Sequence, residues 1–169
     1  YIVRVAAGVY TILVATGTFA AGATNTLTIK SNPANANMAL WQFDPTSTAT
    51  NYVVNFSGAS YVNIDSVKLK ASNTTRNYGR VIYFSGASDH IAFHGDSIIG
   101  RDGATTSTWD ALLYEERSPK VDDITIIGCD FVGGAYSVYG YGPTTSTTGR
   151  SANWVVKDNE MLDWGYYGM

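Results

Sequence analysis

The pentapeptide Phe-Ser-Gly-Ala-Ser occurs twice, at 56–60 and again 28 residues on at 84–88, and each copy runs straight into an alternating apolar segment, YVNI at 61–64 and DHIAF at 89–93. A unit of this size cannot bury an apolar face alone, so a strand that recurs at constant phase points to copies stacked on one another. The same frame returns along the chain as an apolar pair, a small or polar corner and a further apolar residue. The copies are Val62, Ile64, Ser66, Leu69; Ile91, Phe93, Gly95, Ile98; Ile124, Ile126, Gly128, Phe131; and Trp154, Val156, Asp158, Met161. Leu27, Ile29 and Ser31 fit as an earlier one. Starts at 27, 62, 91, 124 and 154 give spacings of 35, 29, 33 and 30, a repeat of about 32 residues with variable loops.

Helical periodicity is nearly absent, and alternation over four to six residues recurs from end to end. A shorter strand precedes each core strand: Val54/Phe56, Ile82/Phe84, Leu112/Tyr114 and Tyr136/Val138. Three short strands and three corners per repeat match one coil of a parallel β-helix. A β-sandwich also accommodates short alternating strands, but the fixed phase of the inward residues favours the solenoid. The expected architecture is all-β: about five coils of roughly 30 residues over 27–169, with 1–26 as an N-terminal strand leading into the stack. The chain opens on YIVRV and stops at GYYGM inside strand-like sequence, so it reads as a piece of a longer protein. Inward ladders should run Val62/Ile91/Ile124/Trp154 and Ile64/Phe93/Ile126/Val156.

Composition narrows the partners. A net charge of −3 with 15% charged residues supplies no basic surface for phosphates, so nucleic acid is not expected. No apolar run is long enough to span a bilayer, so membrane insertion is not expected. A single cysteine, Cys129, excludes an internal disulfide and Cys-rich zinc or CxxC chemistry. Insertions at 71–80 and 100–110 follow the third strand of a coil, and those at 117–123 and 142–153 follow the first. They should line two edges of one rod, where binding residues commonly sit.

The segments AAGVYT, LTIKSNPANANMALWQF, NFSGASYVNIDSVKLKA, VIYFSGASDHIAFHGDSIIG and NWVVKDNEMLDWGYYGM resemble the right-handed, pectin-lyase-like parallel β-helix repeats of large Bacteroidota surface proteins, which are exported by the type IX route. That resemblance implies a right-handed helix, an extracellular or cell-surface location and a multidomain parent that binds or displays. It carries over no catalytic residue.

Outward positions of the first strand are expected to stack as Asn55, Tyr83, Leu113, Tyr139 and as Ser57, Ser85, Glu115, Tyr141. Exposed aromatics at coil spacing offer flat faces to sugar rings or to another domain, so Tyr83, Leu113, Glu115, Tyr139 and Tyr141 are the ligand-binding candidates, with polysaccharide, other surface components or further domains of the same parent as partners. Asp130 and Glu160 fall at equivalent outward positions and form a weak candidate site for calcium, which needs about six oxygens; otherwise no cofactor is expected. Asp65 and His94 form another equivalent pair, with Lys157 further along, and read as surface charge. Asp122-Asp123 and His94-Gly95-Asp96 invite comparison with β-helical polysaccharide hydrolases, but the repeat places them at different corners. The expected function is a binding module without catalysis. The alternative is a polysaccharide lyase or glycoside hydrolase whose active site is incomplete in this piece.

Overall fold

The computed structural model describes residues 1–11, 14–16, 24–72, 78–102, 106–117, 119–141, 143 and 149–162. Seventeen short strands in these residues build three sheets, and every strand pairing is parallel. Sheet 1 stacks β1 (Ile2–Val5), β4 (Leu27–Ser31), β7 (Ser60–Asp65), β10 (Ser88–His94), β13 (Val121–Ile127) and β16 (Val155–Lys157). Sheet 2 stacks β2 (Val9–Thr11), β5 (Leu40–Phe43), β8 (Lys68–Ala71), β11 (Ser97–Ile99), β14 (Asp130–Val132) and β17 (Glu160–Leu162). Sheet 3 stacks β3 (Val14–Thr16), β6 (Val54–Phe56), β9 (Ile82–Phe84), β12 (Ala111–Glu115) and β15 (Tyr136–Gly140). The chain visits the sheets in the order 1, 2, 3 and then repeats, which is a parallel β-solenoid. Residues 1–26 already give one strand to each sheet, so the stack begins earlier than the expected start at residue 27.

Sheet 1 bears out the second expected inward ladder in full and the first as far as Ile124, with Trp154 packed half-buried against the core. Ile91 pairs with Val62 and Ile124, and Phe93 with Ile64 and Ile126. Leu27 and Ile29 extend the ladders below, and Val156 extends the second above. Val62, Ile64, Ile91, Phe93, Ile124 and Ile126, with Leu69, Ile98 and Phe131 of sheet 2 and Phe56, Ile82 and Phe84 of sheet 3, form one buried cluster inside the coil, against which Ile29 and Val156 pack half-buried. Phe56 stacks on Phe84 at 5.2 Å and meets Phe93 edge-on at 5.9 Å, which ties sheet 3 to sheet 1 across the interior.

Between sheets 1 and 2 the chain turns within two residues in the last four coils, after longer connections at 6–8 and 32–39 in the first two. The first of the two is left-handed in four coils: Ser66 (φ 58°), Gly95 (61°), Gly128 (63°) and Asp158 (56°). That conformation admits glycine freely and other residues with strain, and it is why small or polar residues recur at this corner. The second residue, Val67, Asp96, Cys129 or Asn159, comes next in register. Asp96 Oδ1 accepts the Val67 N–H at 2.8 Å, and Asn159 Oδ1 accepts the Cys129 N–H at 2.8 Å.

Two register details depart from the repeat as read from sequence. Phe56 pairs with Phe84, an offset of 28, but Ser60 pairs with Asp89 and Val62 with Ile91, an offset of 29. The literal repeat of FSGAS therefore does not stack residue on residue throughout, because one extra residue is taken up before Asp89. In β12, Leu113 pairs with Ile82 and Tyr114 with Tyr83, so the inward residue is Leu113 and the outward one Tyr114. The expected Leu112/Tyr114 inward pair is one residue out of phase. All five residues of β12 are buried, which removes the alternation that would have fixed its phase.

Candidate functional site

Sheet 3 carries an aromatic row on its outer face. Tyr83, Tyr114 and Tyr139 occupy one ladder, with ring centroids 5.8 Å apart at both steps, and the Tyr114 and Tyr139 rings are nearly parallel at 8°. Tyr52 extends the row at 5.9 Å from Tyr83, and Tyr136 and Tyr141 close edge-on against Tyr139 at 4.9 and 5.1 Å. Coil stacking dictates this spacing, because outward residues of parallel strands repeat at the inter-strand distance.

Two arginines are built into the row. The Arg80 guanidinium lies 3.4 Å over the Tyr114 ring, with Trp109 on another side at 4.7 Å and Tyr83 at 5.2 Å. Its backbone N–H donates to Asn51 Oδ1 at 3.2 Å, and its Nε donates to the Thr108 carbonyl at 3.1 Å. Asn51 Nδ2 in turn donates to the Trp109 carbonyl at 2.8 Å. These bonds pin the short 3-10 turn Thr108–Asp110, which belongs to the second insertion, against the edge of sheet 3. At the other edge the Arg117 guanidinium stands 4.4 Å over the Tyr141 ring. The row thus lies between described parts of the two insertion sets, as expected for loops lining two edges.

Proton affinities follow the contacts. Burial, then the hydrogen bond donated to Glu116 Oε2 at 3.0 Å, pushes Tyr83 up to about 12. The hydrogen bond with Tyr141, then burial, pushes Tyr139 to about 12, while the same bond and Arg117 lower Tyr141. The pattern has Tyr139 donating and the Tyr141 oxygen accepting. Burial lowers Arg80 from the ordinary arginine value, against the opposing pull of Tyr114, Tyr83 and Glu116.

Of the five ligand-binding candidates, Tyr83, Tyr139 and Tyr141 stand on this face. Leu113 does not: it is fully buried in the interior, one residue out of phase with the outward ladder. Glu115 pairs with Phe84 and Gly140, is buried, and its carboxylate accepts from the Ser151 hydroxyl. The outward positions expected for these two are filled by Tyr114 and Glu116. Sequence reasoning also missed Arg80, which closes the insertion 71–80 and carries no repeat signal. The solvent-facing rings are Tyr141 and Trp109, each 38% exposed, at the rims of the row.

The remaining candidates lie elsewhere. Asp130 pairs with Glu160 as expected, and both are exposed on sheet 2. Among the described residues no three His, Cys, Asp or Glu side chains converge as a metal site. His94 pairs with Asp65, whose carboxylate meets Lys30 Nζ at 2.9 Å. Burial opposes ionisation of Asp65, but bonds from Ser66 and Lys30 outweigh it and lower its pKa. Asp122 and Asp123 gather with Lys120 and His90, not with His94, so the hydrolase-like pairing of Asp122-Asp123 with the His94-Gly95-Asp96 corner does not assemble. Cys129 is buried, and burial pushes its thiol up to about 11.

Fold and face together define an all-β parallel solenoid bearing an aromatic and arginine strip. Comparison with known protein families, with curated proteins and with solved structures found no match.

Proposed function

We propose that the chain is an extracellular binding module, a β-helical rod that recognises glycan or another surface component through the strip of Tyr83, Tyr114, Tyr139, Tyr141, Arg80 and Trp109. The observation that carries this reading is the strip itself: stacked rings held in place by a buried guanidinium, open at Tyr141 and Trp109, and flanked by insertion loops on both sides. Rigid aromatic faces beside polar edges suit the apolar C–H faces of sugar rings and their surrounding hydroxyls. The mechanism is adhesion without bond cleavage. The likeness of the repeats to pectin-lyase-like segments of Bacteroidota surface proteins agrees with such a role and with display on a larger parent.

Affinity electrophoresis of the whole chain through gels containing neutral and acidic polysaccharides tests the reading. Retardation by at least one polysaccharide, reduced about tenfold in affinity by Tyr141→Ala or Trp109→Ala, is the expected result. Retardation unchanged in both variants, or release of shortened chains from the polysaccharide, would overturn it.

A further inference from the structure

On sheet 1, the residue just before each of Val62, Ile91, Ile124 and Trp154 is left-handed and never glycine: Tyr61 (φ 55°), His90 (53°), Asp123 (54°) and Asn153 (60°). L-residues pay about 1–2 kcal/mol for this conformation, with asparagine, aspartate and histidine tolerating it best and a bulky tyrosine least. At the other end of the same strands two of the four left-handed corners are glycine. The row before the core residues keeps its side chains instead, and strain held in series over four coils calls for a use.

The four side chains contact one another as a continuous rail along the rod. The Tyr61 ring stacks on the His90 imidazole with centroids 4.2 Å apart. His90 Nε2 lies 3.7 Å from Asp123 Oδ2, and Asp123 Oδ1 accepts from Asn153 Nδ2 at 2.9 Å. The rail is one wall of a cleft of about 410 Å³. Its floor is the neighbouring outward ladder, Asn63, Ala92, Thr125 and Val155. Ala92 makes a hollow in that floor, with the Asn63 amide and the Thr125 hydroxyl one coil away on either side, about 10 Å from each other by the inter-strand spacing.

We propose that this cleft binds a single neutral sugar residue, seated over Ala92 and held through its hydroxyls by Asn63, Thr125, His90 and Asp123. The floor offers one amide and one hydroxyl, each able to donate and accept, and the rail adds a carboxylate acceptor and an imidazole. The volume falls in the range of small-ligand pockets. Asp89 lies behind the rail, with its carboxylate 3.6 Å from His90 Nδ1, and Asp122 is held by Lys120. With Asp123 these carboxylates make the surroundings negative, which disfavours uronates, sulfates and phosphates. Asp123, the carboxylate that lines the cleft, faces His90 at 3.7 Å and Asn153 at 2.9 Å, so a cationic amine would compete with both for it. The site is on sheet 1 and does not depend on the aromatic strip of sheet 3.

Backbone-amide NMR of the whole chain, titrated with methyl glycosides of neutral hexoses and, in parallel, with methyl galacturonide and a methyl glucosaminide, tests the site. Saturable shifts centred on Ala92 and Thr125 with a neutral glycoside are expected, with the uronide and the aminoglycoside at least about tenfold weaker. His90→Gly suits the left-handed backbone and so preserves the fold. It and Asp123→Asn should each weaken the titration about tenfold or more, whereas Tyr141→Ala should leave it unchanged. The proposal falls if no neutral glycoside gives saturable shifts there, if either charged sugar binds as tightly, or if the affinity survives both cleft variants. It also falls if Tyr141→Ala abolishes the shifts, since the site would then not be independent.

Discussion

Asp96 and Asn159 perform the same hydrogen bond two coils apart, each taking the N–H of the residue one coil earlier, Val67 and Cys129, at 2.8 Å. Asn159 also donates through Nδ2 to the Ile126 carbonyl at 3.0 Å. The equivalent Asp96 atom, Oδ2, is buried without a hydrogen-bond partner. A proton on Oδ2 would give Asp96 the donor that Asn159 has in its amide. Burial, reinforced by the charge of Asp65 and opposed by the Val67 and His94 backbone bonds, raises its pKa from 3.8 to about 7.

The folded protein therefore binds this proton more tightly than the unfolded chain does. The associated stability is complete below pH 3.8 and is lost as pH rises to about 7. Asp96→Asn removes that dependence. Urea denaturation should find the variant more stable than the parent at pH 8, with the difference closing as pH falls toward 4. A constant difference from pH 4 to pH 8 would contradict the assignment.

Arg80 should matter for stability more than a surface arginine. Arg80→Ala strips the ring contacts of Tyr114 and Trp109 and removes the Nε bond to the Thr108 carbonyl, which keeps only the Ala111 N–H, a loss of about 3 kcal/mol. Arg80→Lys should recover less than half of it, because an ammonium lacks the flat face that lies on Tyr114. Both values are read from the urea midpoint at constant m. Native-state proteolysis should cut first near the Thr108–Asp110 turn.

The phase of β12 gives a separate test. Leu113→Ala should cost about 2–5 kcal/mol, as for a buried core leucine. An outward leucine would cost under about 0.5 kcal/mol. Equilibrium unfolding distinguishes the two.

Cys129 should resist modification in the native state, since its thiol is buried and titrates near 11. At pH 8 a disulfide reagent should label it at the rate of local opening, and addition of urea should bring full reactivity. Immediate labelling of the folded chain would place the thiol outside the core.

The solenoid and most of its register were legible in the sequence because the inward ladder of sheet 1 uses large apolar residues at constant phase. Ile64, Phe93, Ile126 and Val156 needed no structure to align. The phase of ALLYE was not legible, since Leu112, Leu113 and Tyr114 are all buried and no polar residue marks the outside. The aromatic strip was half legible for the same reason: Tyr83 and Tyr139 were found, and Tyr114 between them was displaced by the slip. Arg80 and the rail of Tyr61, His90, Asp123 and Asn153 left no such trace. Their relationship is one of backbone handedness and packing across coils, and the four residue types share neither charge nor hydropathy.

That rail, together with the Ser66, Gly95, Gly128 and Asp158 corners, brackets the core-facing pair in four coils of sheet 1 between two residues of positive φ. A slip of one position would put Val62, Ile91, Ile124 or Trp154 into a left-handed slot, where branched and bulky side chains are least welcome. Strand alignment is thus proofread by torsion angles as well as by greasy contacts. Loops on the other two corners are free to lengthen or shrink without the error propagating to the next turn of the rod.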